Sequence, residues 1–144
     1  MKTKLIAIAA FVVSAVTSAQ VMAHHSFAAE FSAENPIKLH GVVTKVEWTN
    51  PHTYFFIEVE NDGKYEEWAL EMGSPNGLMR RGWTRDTLEI GTEVYMTGTQ
   101  ARDGSFKGNV QAVIIAETCQ RLFAGSSQRD FVEDDAEPVE GCGL

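Results

Sequence analysis

The sequence predicts a small, mainly β fold: a five-stranded OB-like Greek-key barrel with one short helix between strands three and four. Five short β-branched or alternating runs lie between turn signals, and one helix start falls between the third and fourth runs. A length of 144 residues suits one domain. Five short strands cannot bury enough surface as an open sheet, and closure removes exposed edges. An SH3-like barrel is the nearest rival, and the position of the helix favours the OB order.

The first strand is read at Leu39–Trp48, with Val42, Thr44, Val46 and Trp48 on one face, and Asn50-Pro51 breaks it. Thr53–Glu60 alternates, placing Phe55, Ile57 and Val59 on one face and Glu58 and Glu60 on the other. Asn61-Asp62-Gly63 is a hairpin signal. In the next run, Tyr65–Met72, Trp68, Leu70 and Met72 oppose Glu67 and Glu71. Ser74 is the expected helix N-cap and Pro75 the first helical residue, where a missing N–H costs nothing. The helix is short and ends near Gly82. Leu88-Glu89-Ile90-Gly91 then turns the chain into Thr92–Gln100, Asp103-Gly104 makes a second hairpin, and Asn109–Glu117 is the fifth strand.

Residues 1–23 read as an export signal. Lys2 and Lys4 precede an apolar run from Leu5 to Val16, and Val21-Met22-Ala23 is a small-residue exit. The run is 12 residues long, shorter than the roughly 20 a bilayer demands. Residues 24–36 form a polar N-terminal segment, with Phe27 and Phe31 as docking residues. The barrel domain is read at 37–124, and an acidic, solvated tail at 125–144. Cys119 and Cys142 suit an oxidising compartment, and a bridge between them would tie down the tail.

The full chain has 12 basic and 20 acidic residues, a formal charge of −8. Residues 24–124 alone hold 9 basic and 14 acidic residues. That balance argues against nucleic acid or an anionic membrane as partner. Arg80, Arg81 and Arg85 are the one local basic patch and are read as solvated or paired with carboxylates.

All four histidines fall between positions 24 and 52. Cleavage after Ala23 makes His24 and His25 the first two residues. A histidine at a free N-terminus offers its α-amine and imidazole to one ion as a chelate, and nitrogen donors suit Cu(II). His52, in Trp48-Thr49-Asn50-Pro51-His52, is the candidate third imidazole, because OB barrels use the loop after strand one for ligands. The 13 residues from His24 to Pro36 reach about 40 Å when extended, so distance does not forbid the meeting. The metal candidates are therefore His24, His25 and His52. The plain alternatives are a solvated histidine pair and a His52 that bonds its own turn. His40 shares parity with Val42 and Trp48 and reads as a core or strand-edge residue. Met72 and Met96 read as core.

Catalytic patterns are poor. No nucleophile elbow surrounds Ser26 or Ser74, and the chain has no glycine-rich phosphate loop, no His-Glu-x-x-His and no Cys-x-x-Cys. Glu66 and Glu67 adjoin on a strand and point to opposite faces. No enzyme is expected.

His24-His25-Ser26-Phe27-Ala28-Ala29-Glu30-Phe31, Trp48-Thr49-Asn50-Pro51-His52 and Glu71-Met72-Gly73-Ser74-Pro75-Asn76-Gly77-Leu78 with Arg81-Gly82-Trp83-Thr84-Arg85 resemble a family of small exported bacterial proteins of unknown function. The resemblance runs from about His24 to Ser127 and implies an exported small β-barrel with no established activity. The N-terminal histidine is also similar to that of periplasmic copper carriers, a likeness of one or two residues. The expectation is a periplasmic, non-enzymatic protein that binds a copper-type ion. The alternative is an accessory or adaptor domain for a protein partner or small organic ligand, using Trp48, Tyr54, Phe56 and Trp83 and the Met72–Arg85 segment.

Overall fold

The runs of β-branched and aromatic residues pair into β1 (Phe31–Glu47), β2 (Tyr54–Asn61), β3 (Lys64–Glu71), β4 (Glu93–Ala101), β5 (Lys107–Ile115) and β6 (Gln120–Phe123), with helix α1 (Pro75–Met79) after β3. This computed structural model describes residues 29–125 and Cys142. The six strands form one sheet in the order β3-β2-β1-β4-β5-β6, every neighbouring pair antiparallel. One further pairing, parallel, sets Ala69, Leu70 and Glu71 of β3 against Lys107, Gly108 and Asn109 of β5.

Among the described residues there are six strands where five are expected. The extra one follows a turn at Cys119, whose φ of 55° is left-handed and whose N–H donates to the Ile115 carbonyl at 2.8 Å. Cysteine carries no turn signal, so the reversal into β6 is not visible in composition.

β1 also starts at Phe31 rather than Leu39, within the stretch read as the N-terminal segment. Its early residues are held by long-range partners: Phe31 pairs with Ala101, and the Arg102 N–H donates to the Glu30 carbonyl at 2.9 Å. Pro36 sits where the register with β4 shifts, the kind of irregularity at which a strand tolerates proline.

The inward face of β1 differs from the expected one. Val43 is buried and Val42 is 43% exposed. A shift in register between Val43 and Lys45 then reverses the alternation, so Val46 and Trp48 pack against the core from the other parity. The two halves of β1 also have different partners. Ile37 to Val42 pair with β4, and Val42 to Glu47 pair with β2.

The core lies among Phe55 and Ile57 of β2, Trp68 and Leu70 of β3, Val94 and Met96 of β4, and Val110 and Val113 of β5. Met72 joins it, as parity predicted. α1 begins as expected: Ser74 Oγ accepts the Gly77 N–H at 3.3 Å and Pro75 opens the helix. Leu78 of the helix and the following Trp83 are buried.

Cys119 and Cys142 are bridged. The bridge joins residues 23 apart, and in the chain-entropy model a loop of this length stabilises by about 3 kcal/mol. Reduction is therefore expected to lower the stability measured by denaturant titration by about that amount, and a Cys142→Ser variant to show the same loss without reductant.

Gly98 of β4 lies against the Asn109 backbone of β5. A Cβ there would clash with the Asn109 carbonyl oxygen, which is backbone and cannot rotate away. Gly98→Ala is expected to cost about 1–3 kcal/mol, read as a lower denaturant midpoint with an unchanged slope.

Candidate functional site

The site is built where β2 begins and β3 ends. Asp62 and Gly63, with φ of 51° and 75°, make a two-residue turn that pairs Asn61 with Lys64. Counting back along that ladder brings Tyr54 opposite Glu71. The ladder continues past the strand ends: the Met72 N–H donates to the Thr53 carbonyl at 2.8 Å and the Thr53 N–H to the Gly73 carbonyl at 3.1 Å. His52, two residues before Tyr54, is thereby carried to the edge of the same patch.

His52 Nδ1 lies 3.1 Å from the Met72 carbonyl oxygen and 3.1 Å from Glu71 Oε1. A carbonyl oxygen can only accept, so Nδ1 carries the proton, and in the neutral ring Nε2 keeps its lone pair. Among the described residues nothing bonds Nε2, and the side chain is 36% exposed. The Tyr54 hydroxyl donates to Glu71 Oε2 at 2.8 Å, so the two oxygens of Glu71 serve two different neighbours. Glu71 itself is only 14% exposed.

Beside Tyr54 and Glu71 lies a cavity of about 260 Å³, whose lining includes Phe31, Tyr54, Phe56, Glu30, Glu47, Glu71 and Lys107. Burial pushes the Tyr54 phenol well above its ordinary value, and the hydrogen bond to Glu71 with the charges of Glu71, Glu30 and Glu47 pushes it further.

The predicted site residues fare differently. His24 and His25 lie outside the described residues. His52 has the exposed, anchored ring just given. His40 is not in the core: it is half exposed, its Nε2 lies 2.7 Å from Glu93 Oε1, and it stacks on Tyr95 with centroids 4.2 Å apart. The shifted parity of β1 puts it outside. Among the described residues, no three or more His, Cys, Asp or Glu side chains converge as a metal site. Trp83, one of the aromatics that the adaptor alternative offers to a partner or ligand, is buried and donates from Nε1 to the Phe123 carbonyl at 2.9 Å. Arg81 likewise packs, donating to the Gly125 carbonyl with its guanidinium 4.7 Å from the Phe123 ring centroid. The Met72–Arg85 segment thus covers one end of the core.

The sequence marks Glu71 only as an outward strand residue and Tyr54 only as an aromatic for a partner or ligand. The signal that unites them is the Asn61-Asp62-Gly63 turn, because a two-residue loop fixes every pair along the hairpin.

A family of unknown function, DUF6152, matches residues 11–111. The chain belongs to that family. The matched span includes His24, His25, His52, Tyr54 and Glu71 and ends within β5. No curated protein matches the chain.

The raised phenol has a consequence for stability. Above about pH 10 the unfolded chain releases the Tyr54 proton while the folded chain keeps it, so this group's contribution falls as pH rises. The melting temperature of the parent is expected to drop more steeply above pH 10 than that of Tyr54→Phe, with the curves parallel at neutral pH.

Proposed function

We propose that this protein is a periplasmic, non-enzymatic binding protein that holds a copper-type ion. The donors are the amine and imidazole of His24, the imidazole of His25 and Nε2 of His52. The observation that carries this reading is the state of the His52 ring. Its Nδ1 proton is engaged by the Met72 carbonyl, with Glu71 Oε1 3.1 Å from the same nitrogen, and its Nε2 is open. Metal-ligating histidines are held in this way by a carbonyl or carboxylate on the other nitrogen.

The path of the chain supports the same reading. His25 and His24 precede Glu30 by five and six residues, for extended reaches of about 17 and 20 Å. Glu30 shares a cavity wall with Tyr54 and Glu71, and Glu71 touches His52. Three imidazoles and an amine suit Cu(II) over harder ions. Export, which would free the His24 amine, accords with the Cys119–Cys142 bridge, since disulfides persist in oxidising compartments.

The scaffold reading is an OB-like Greek-key barrel. It is supported by the parallel β3–β5 pairing, which makes the pairings run β1-β2-β3-β5-β4 and back to β1. In such a barrel the β1–β2 loop that carries His52 is a ligand loop.

A second reading, an accessory domain for a protein partner or small organic ligand, is favoured by the aromatic walls of the 260 Å³ cavity. Copper titration separates the two. Protein beginning at residue 24 is expected to bind about one Cu(II). One residue added before His24, or His52→Ala, should weaken binding by more than the roughly 10–100-fold that loss of an outer-shell partner costs. A parent that ignores copper and is stabilised by small organic cations would overturn the metal reading in favour of the second.

A further inference from the structure

We infer that Glu71 is a positioning residue for the metal site, acting through His52, with Tyr54 holding Glu71 in place. The inference rests on the copper reading above and adds two residues to it that touch no metal.

His52 stands in a loop with a partly exposed side chain, so one backbone acceptor would leave its ring free to tilt. The Met72 carbonyl sets the tautomer by accepting from Nδ1, and Glu71 Oε1, 3.1 Å from the same nitrogen, stands against that edge of the ring and limits its tilt. Glu71 cannot easily turn away. Its other oxygen accepts from the Tyr54 hydroxyl at 2.8 Å, its side chain is largely buried, and β2–β3 pairing fixes Tyr54 opposite it. A carboxylate beside Nδ1–H also makes Nε2 a stronger donor, because negative charge on one side of an imidazole favours cation binding on the other. The arrangement is a carboxylate–histidine pair aimed outward, with a phenol locking the carboxylate. The ion it suits is a divalent one that prefers nitrogen.

The rival account is a local ion pair that merely steadies the loop. A double-mutant cycle distinguishes them, using protein that begins at residue 24, with Cu(II) affinity measured by chelator competition and the coordination by EPR. Glu71→Gln is expected to weaken copper about 10–100-fold and to change the EPR hyperfine splitting. In a His52→Ala background the same substitution should change affinity by less than about twofold, since its route to the metal is gone. Tyr54→Phe should act in the same direction by a smaller factor, again only while His52 is present, and it carries the test should Glu71→Gln not fold.

Wild-type affinity and spectrum in both Glu71→Gln and Tyr54→Phe would overturn the inference and leave the copper reading standing. So would an equal effect of Glu71→Gln with and without His52. A parent that binds no copper would overturn both.

Discussion

With Asp62 and Gly63 both at positive φ, Asn61 must pair with Lys64, and from that pair every contact along β2 and β3 follows. Phe55 and Ile57 turn inward with Leu70 and Trp68, while Tyr54 meets Glu71 on the other face. A slip of one residue would exchange the faces, exposing the core aromatics and separating the phenol from the carboxylate. Core and site therefore depend on the same register. The site has no scaffold of its own; it is the solvent-side consequence of a hairpin whose other side is buried.

β1 ties this hairpin to the rest of the molecule. Its first half pairs with β4 and its second with β2, and the irregularity between Val43 and Lys45 lets both halves bury side chains despite opposite parity. The start of the long first strand also lies on the cavity beside Tyr54 and Glu71, with Phe31 and the preceding Glu30 lining it. At the far side, the Cys119–Cys142 bridge anchors residue 142 against the turn into β6. The Trp83 indole and the Arg81 guanidinium close the core through the carbonyls of Phe123 and Gly125.

Local chemistry made much of this legible. The Asn61-Asp62-Gly63 turn, the Ser74-Pro75 helix start and the alternation in β2 and β3 are each specified by a few adjacent residues. What escaped is set by distant partners. The early start of β1 depends on Ala101 and Arg102, and the reversal at Cys119 uses a residue type without turn preference. The parity change in β1 depends on how β2 lies against it, and of the two expected places for His40, core or strand edge, it excludes the core and leaves an exposed stack on Tyr95. At the site, His52 was legible from its loop and residue type. The Glu71–Tyr54 contact was implicit in the turn but needed the register to be counted out.

Whether Nε2 of His52 bonds a copper ion together with the N-terminal histidines, as proposed, is the question on which this account turns. Pulsed EPR answers it directly, because the remote nitrogen of each copper-bound imidazole modulates the electron spin echo. In Cu(II)-loaded protein beginning at residue 24, His52→Asn is expected to remove the modulation of one imidazole and leave the rest. An echo pattern identical to that of the parent would contradict the account, since His52 would then lie outside the coordination sphere.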